Sequence, residues 1–397
     1  MNKSRPLIGN PALMRQTNAR TILMLLKKMH SCSRKDLVRE SGMSTPTVAN
    51  VVADLDKLGL IQWIGEDKSG GGRPPESFRF KADAGCLAGV DITAEGLRIL
   101  LTDLKGTLLE KHYEDLPKEA RGPGALIELL RGRIDLMMQK RRIPARKLLA
   151  ITVGVAGITN TRDGVVISVS HSDGWRNVPL EATLRRVFGC DVFVDNESNL
   201  AAIGERFCGV AQGEDSFIFI TIGSGVGAGI FVNGRVVHGS SWAAGEIGYL
   251  QIPHIPKMPP ALYNFGRLEQ VLAGPGILRS WSAVAKNSGS DLKPRKASGV
   301  LDLALQGNTA AQKLVLQRAR LLKDVVLNLS LILNPGLFVF GGEIGAHPAL
   351  LAPVAEMLTK SEIAGARVLP SALGNAAVAW GGVACAMQHS EQKLHRC

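Results

Sequence analysis

Aromatic side chains are scarce in this sequence, 5% of 397 residues, so large rings cannot supply most of its core. Glycine is plentiful at 44 residues, and the two together suit small-residue α/β packing with several tight turns. Six cysteines (Cys32, Cys86, Cys190, Cys208, Cys385 and Cys397) are scattered without a CxxC pair. That spacing excludes a disulfide framework and a metal knuckle, and it fits a reducing cytoplasm. No stretch approaches the ~20 apolar residues of a membrane-crossing helix. The apolar run Thr21–Leu26 is too short for a signal-peptide core, and Arg20 and Lys27 bracket it. These absences lead to the expectation of a soluble cytoplasmic protein with no membrane partner. With 45% hydrophobic and 21% charged residues, wholesale disorder is excluded as well.

Negative charge is in deficit, and unevenly so. The net charge is +12, and the segment from Met1 to Lys81 holds 14 Lys and Arg against 7 Asp and Glu. That is +7 in a fifth of the chain, while the remainder, with 33 against 28, carries +5. A basic module joined to a nearly balanced body suits an acidic polymer, nucleic acid first. A solvated basic surface is the plainer alternative.

The first eighty residues favour the former. Asn18–Met29 places Ile22, Leu23, Leu25, Leu26 and Met29 at helical spacing. Ser33 reads as the start of a second helix with Asp36 in its first turn, and Gly42 allows the left-handed turn that ends it. Ser44 is a suitable cap for a third helix, Pro46 fits its first turn, and Val48, Val51, Val52, Leu55 and Leu58 form its apolar stripe up to Gly59. The exposed N-terminal face then carries Ser44, Thr45, Thr47 and Asn50, short polar side chains suited to base edges in a major groove. Leu60–Gly65 and Glu76–Lys81 read as an antiparallel wing whose tip, GGGRPP, presents Arg73 to a narrow minor groove. A flexible linker is the bland reading of that tip.

From Ala82 onward strands alternate with helices, which implies an α/β body. Strands are expected at Gly85–Ile92, Leu97–Leu104, Leu148–Val155, Val192–Val194 and Phe217–Ile222, and helices at Gly124–Met138, Leu180–Phe188 and Ala310–Leu333. The last of these reads as core packing or a subunit interface. Asp91 at a strand end and the glycine-rich turn Gly223–Gly229 suit a phosphate-binding cleft, although such a turn can serve close backbone packing alone.

Several segments resemble the ROK family (repressors, open reading frames and kinases): VDNESNLAA at 194–202, IGSGVGAGI at 222–230, Gly245-Glu246-Ile247-Gly248-Tyr249, Leu333-Asn334-Pro335 and Gly341-Gly342. The likeness runs from Asn18 to about Met387, and the GGRPP segment is typical of its repressor branch. The resemblance implies an N-terminal winged helix-turn-helix (residues 1–81, wing and linker about 60–81). A two-lobed actin-like, sugar-kinase-type (ribonuclease H-like) α/β body over 82–397 would follow. It also implies a sugar site formed by Asn196, Glu197, Glu246, Tyr249 and Glu269. Glu205, close by, reads either as a ligand or as a helix surface charge.

Departures from the family pattern point away from catalysis. A GGTK-like turn follows the first aspartate in the kinases, whereas Ile92-Thr93-Ala94-Glu95 stands here. The family's general base is the aspartate of an Asn-Asp pair, and Glu197 replaces it. Its extra methylene shifts the carboxylate, and a displacement of ~1 Å can cost ~100-fold in rate. The family often holds zinc through a histidine and three cysteines. Tyr249, Pro260, Leu262 and Arg267 stand at those positions, and His254 is alone nearby, so neither metal nor cofactor is expected.

The leading expectation is a DNA-binding regulator, a repressor, of a palindromic double-stranded operator, acting as a homodimer or homotetramer and responding to a sugar effector. A ROK-type sugar kinase with a regulatory domain is one alternative. The other is a regulator with a dead pocket, controlled by a protein partner.

Overall fold

The computed structural model describes residues 11–66, 76–93, 96–117, 119, 121–170, 174–252, 266–287, 292–360 and 365–394. The N-terminal module runs α1 (Pro11–Lys28), β1 (Cys32–Ser33), α2 (Arg34–Ser41), α3 (Thr45–Lys57), β2 (Ile61–Glu66) and β3 (Glu76–Phe80). Its caps form as the sequence implies. The Asp36 carboxylate accepts the Ser33 N–H at 2.9 Å and Ser33 Oγ accepts the Asp36 N–H at 3.3 Å, closing a capping box on α2. Gly42 ends that helix at φ +67°, and Ser44 caps α3. Val48, Val51, Val52 and Leu55 are buried, but Leu58, expected in the same stripe, is exposed beside the turn at Gly59. Strands β2 and β3 pair antiparallel, and β1 adds to the far edge of β3. Trp63 on β2 packs edge-on against Phe78 and donates from Nε1 to Asp56 at 3.1 Å, tying the wing to α3. The wing tip and Arg73 lie outside the described residues.

The body begins with β4 (Cys86–Ile92), β5 (Gly96–Asp103), β6 (Leu108–Asp115), α4 (Pro123–Lys140) and β7 (Leu148–Val155). A small sheet of β8 (Ile158–Asn160), β9 (Val165–Ser168) and β10 (Arg176–Val178) follows, then α5 (Leu180–Phe188), β11 (Asp191–Asn196) and α6 (Glu197–Cys208). Strand β6 was not anticipated. Its sequence, LLEKHYED, is that of a charged edge strand rather than a buried one. The second half runs β12 (Phe217–Ile222), β13 (Val226–Val232), β14 (Arg235–Val236), α7 (Arg267–Leu272), α8 (Gly274–Asn287), α9 (Ala297–Leu305) and α10 (Thr309–Leu333). It ends with β15 (Leu337–Gly341), α11 (Gly342–Gly345), α12 (Pro348–Thr359), β16 (Arg367–Pro370) and α13 (Ala377–Leu394).

Both lobes use one plan. The first sheet has the order β6-β5-β4-β7-β11 and the second β14-β13-β12-β15-β16. In each, an antiparallel three-stranded meander is extended by two parallel strands. This is the expected two-lobed, ribonuclease H-like architecture. Apart from it, one expectation fails locally. The run Gly223–Gly229 is not one long turn. Gly223–Gly225 make the bend, while Gly227 and Gly229 lie within β13. A Cβ on Gly229 would stand 2.2 Å from the Ser198 carbonyl oxygen, so this glycine lets α6 lie against the strand backbone.

Helix α13 returns from the C-terminal end to the first lobe and packs closely on α6 and β4. A Cβ on Gly381 would sit 1.8 Å from Leu200 O, one on Gly204 2.1 Å from Ala377 O, and one on Gly89 1.9 Å from Ala379 O. Further along α13, Ala386 joins the apolar cluster built from Ile22, Leu23 and Leu26 of α1 together with Leu87 and Leu104. Lys27 also meets Glu391 at 2.6 Å, so the N-terminal module rests directly on the body. Leu314, Leu322, Val325 and Leu329 of α10 are core residues of the second lobe.

Gly381→Ala should therefore lower stability by about 3 kcal/mol, the upper range for overpacking. Gly132→Ala, in α4 with open space around it, should raise stability by ~0.5–1 kcal/mol. Denaturant melts of the two variants check this, and equal effects would contradict the packing described.

Candidate functional site

At the N-terminus of α3 the four sequence-predicted residues divide into two pairs. Ser44 Oγ lies 2.8 Å from Thr47 Oγ1 and accepts the Thr47 N–H, so these two hydroxyls order the helix start. Thr45 and Asn50 are exposed, and their side chains have no partner among the described residues. A rigid helix end thus presents two free polar groups, the arrangement that a major groove can read.

The second site is a cavity of about 580 Å³ between the lobes. All five residues expected to hold a sugar line it: Asn196 and Glu197 from the β11–α6 junction, Glu246 and Tyr249 from the segment after β14, and Glu269 from α7. Their placement follows from backbone constraints. Asn196 caps α6, its Oδ1 accepting from Ser198 N at 2.8 Å and Asn199 N at 3.4 Å, while its Nδ2 donates to Gly157 O at 3.1 Å. One N–H of its amide is left for a ligand. Glu269 Oε1 accepts the Val226 N–H at 2.9 Å, and a Cβ on Gly225 would stand 2.7 Å from that same oxygen. The Gly223–Gly225 bend therefore makes room for a carboxylate from the facing helix. Gly245, at φ +88°, carries a turn in which a Cβ would collide with Ala228 O at 1.9 Å, and this turn delivers Glu246. Tyr249, on the second lobe, hydrogen-bonds Ser170 on the first, so its hydroxyl spans the cleft.

Four acids share this region, and their environment keeps them from ionising freely. Burial, then the charges of Asp91, Glu246 and Glu269, push Glu197 up to about 8. Burial, then Glu269, raises Glu246 to about 7. Glu269 is also raised by burial, with the Val226 and Gly266 N–H groups opposing. Asp91 is raised to about 6 by burial against the partial offset of Arg98, whose Nη1 lies 3.2 Å from Asp91 Oδ2. Near neutrality the cleft thus offers carboxyl O–H donors as well as acceptors, which suits the mixed hydrogen bonding of sugar hydroxyls.

Sequence reasoning missed several groups here. Arg98 faces Asp91 across the β4–β5 pairing, and with Lys296 it lines a smaller cavity of about 220 Å³ beside Glu197, Gly223–Gly225 and Gly342. Positive charge therefore lines this smaller cavity. Ala94 and Glu95 themselves lie outside the described residues. Ser168, Ser170 and Trp175 add a polar and aromatic wall to the larger cavity. Asp195 Oδ2 meets His238 Nε2 at 2.9 Å and its Oδ1 accepts from Asn199 Nδ2 at 3.0 Å, clipping β11 to the loop after β14. That hydrogen bond raises the His238 pKa. A lone histidine far along the chain gave no signal of this contact.

Glu205 corrects both expectations held for it. It is fully buried and lines neither the cleft nor the smaller cavity beside it. Its carboxylate accepts from Val210 N at 2.8 Å, from Leu373 N at 3.1 Å and from the Ser371 hydroxyl, pinning the segment before α13. At the zinc-like positions Tyr249 bonds Ser170 and Arg267 Nη1 donates to Gln270 at 2.9 Å. His254, Pro260 and Leu262 lie outside the described residues. Among the described residues no group of three or more His, Cys, Asp or Glu could hold a metal, and no helix is long and apolar enough to cross a membrane.

Residues 87–389 match the ROK family. The chain is 26% identical over 343 residues to the xylose repressor of Caldicellulosiruptor bescii, covering 85% of each protein. It is 29% identical over 308 residues to a glucokinase of Halalkalibacterium halodurans, covering 74% of this chain and 92% of that one. Among solved structures, a ROK family transcriptional regulator described as a homologue of the Escherichia coli MLC protein superposes with a TM-score of 0.79 at 21% identity. That match covers 96% of this chain and 98% of the other, and it concerns the fold. The repressor match spans more of the chain than the kinase match does. With the α3 surface and the two-lobed cleft in one polypeptide, the chain belongs to the ROK family, among its transcriptional regulators.

Proposed function

We propose that this protein represses transcription by binding a palindromic operator as a dimer, and that a sugar held between the lobes sets its affinity for DNA. Asn196, Glu197, Glu246, Tyr249 and Glu269 are the sugar contacts in this reading. Thr45, Asn50 and Arg73 are the duplex contacts in the same reading, with Ser44 and Thr47 ordering the start of α3 that presents them. One observation carries the coupling. The same helix, α13, packs without intervening side chains on α6, whose first residues line the cleft, and contributes Ala386 to the core under α1. A ligand that draws Glu246 and Tyr249 toward Asn196 and Glu197 acts on the support of α6, and α13 carries the change to the module. Only a ligand that binds one lobe arrangement more tightly shifts DNA affinity.

The same geometry argues against sugar phosphorylation. A general base has to accept the sugar hydroxyl proton. Glu197 holds its own proton to about 8, which leaves little of the base form at neutral pH. The kinase reading is favoured by the glucokinase relative and by Arg98 and Lys296 near the smaller cavity. Coupled ADP-release assays with glucose, xylose and N-acetylglucosamine decide between the two. Turnover no faster than without sugar is expected, and brisk turnover overturns the non-enzymatic reading.

On an operator selected from random duplexes, Asn50→Ala should weaken binding about tenfold, as for loss of one base contact. It should relax preference at one base position, whereas Thr47→Ala should act through α3 stability. Adding the effector sugar should change wild-type affinity but not that of Glu246→Gln. Fluorescence anisotropy reads both, and an operator affinity indifferent to every sugar removes the sensing role while leaving DNA recognition intact.

Ligand-free stability should fall between about pH 5 and about pH 8. Glu197 and Glu246 keep their protons to higher pH in the folded chain than in the unfolded one, so the native state binds more protons across that window. Glu246→Gln should flatten the decline, as measured by Tm against pH. A level wild-type profile would contradict the buried acid cluster.

A further inference from the structure

We infer that the junction between the DNA-binding module and the first lobe is a second ligand site, for a small phosphate-bearing anion. A cavity of about 600 Å³ lies there, separate from the cleft between the lobes. Its walls come from both parts: Gln62, Arg79, Phe80 and Lys81 from the module and its exit, and Asp103, Lys105, Arg142 and Lys147 from the lobe. That volume suits a small metabolite.

The charge in the cavity is one-sided. Six cations line it, Arg79, Lys81, Lys105, Arg141, Arg142 and Lys147, against two acids, Asp83 and Asp103. The acids do little to neutralise them. Asp103 Oδ1 is taken by the N–H groups of Lys105 and Thr107, both at 2.8 Å. Lys147 donates to the backbone oxygen of Asp83 at 2.6 Å, not to its carboxylate. Arg141 is held by Glu110 at 3.0 Å, and Arg79 leans on the neutral Gln62 at 3.1 Å. The side chains of Lys81, Lys105 and Arg142 have no partner among the described residues.

Arg142 adds an independent observation. It follows the C-terminal turn of α4 at φ +56°, a left-handed position that normally goes to glycine. Its N–H bonds Gln139 O and the next N–H bonds Met138 O, so the turn is well formed and an arginine occupies it despite the disfavoured backbone. The result is an exposed guanidinium in the same cavity lining as Lys81 and Lys105, with no ion pair among the described residues. Like charges gathered in a concave wall repel, and an oxyanion with several acceptor atoms relieves that repulsion through charge-assisted hydrogen bonds. A duplex is a broad convex rod that meets cations spread along a surface, whereas this half-open concavity turns cations from two parts of the chain toward one small volume, which fits a small anion better. Because its walls belong to two parts, the bound anion bridges them and stiffens the angle at which α3 is presented.

The test uses the full-length chain and sodium pyrophosphate as probe, at ionic strength matched with sodium chloride. Isothermal titration and thermal shift should show saturable binding and a raised Tm for the wild type. The double variant Arg142→Gly with Lys105→Gln removes two unpaired cations, and glycine suits the backbone at position 142, so the variant should fold at least as stably in chloride. Its pyrophosphate affinity should fall by about tenfold for each cation removed. No saturable wild-type binding, or equal affinity in the variant, overturns the proposal. So does a variant that loses affinity for a short random-sequence duplex while pyrophosphate leaves the wild type unchanged, since the cavity rim would then be a DNA contact. None of these outcomes depends on sugar binding between the lobes.

Discussion

The close crossing of α6 and α13 is the constraint on which the rest of the molecule depends. Gly204 and Gly381 bring the two backbones within reach of each other's carbonyl groups, and Gly89 does the same for α13 against the central strand of the first lobe. On its other side α6 lies on β13 through Gly227 and Gly229, so one helix is fixed to both lobes at once. Its N-terminal residues, Asn196 and Glu197, are consequently held in the cleft with little freedom to move on their own. Any change in lobe angle must pass through this contact, because close-packed backbones shift as bodies rather than deform.

The cleft built on that helix concentrates acids instead of dispersing them. Asp91, Glu197, Glu246 and Glu269 approach from four different elements, each placed by a backbone feature: a strand end, a helix cap, a left-handed glycine turn and a helix start. Burial raises the pKa of all four, neighbouring acids add to it at Glu197 and Glu246, and a protonated carboxyl donates where a carboxylate only accepts. The cleft thus gains variety in hydrogen bonding, since Glu197 and Glu246 hold their protons near neutrality. Tyr249 reaches Ser170 across the opening, so both lobes contribute to the cavity wall.

The DNA-side module does not hang from a loose tether. Its α1 shares a core with β4, the β5 end and α13, and Lys27 pairs with Glu391. Two routes therefore meet at its base: α13, leading from the cleft, and the basic cavity beside Arg142.

Much of this could be read from residues in order. The capping box at Ser33, the left-handed Gly42, the Ser44 cap and the apolar stripe of α3 are local signals, and local signals act through neighbours in the chain. Strand and helix periodicity gave the alternating body for the same reason, and the resemblance to the ROK family nominated the five cleft residues. What the sequence could not decide were the meetings between distant segments. It allowed Glu205 to be a ligand or a surface charge, whereas Ser371 and Leu373 bury it as an anchor. The Gly223–Gly229 run read as a phosphate turn, but half of it is a strand that admits a helix. His238, Arg98 and the cations of the junction cavity carried no local mark, because their roles come from partners tens to hundreds of residues away or across a β-sheet pairing. Composition and periodicity determined which elements form; only tertiary packing decided which charges would be neighbours, since burial and proximity exist only once the chain has closed on itself.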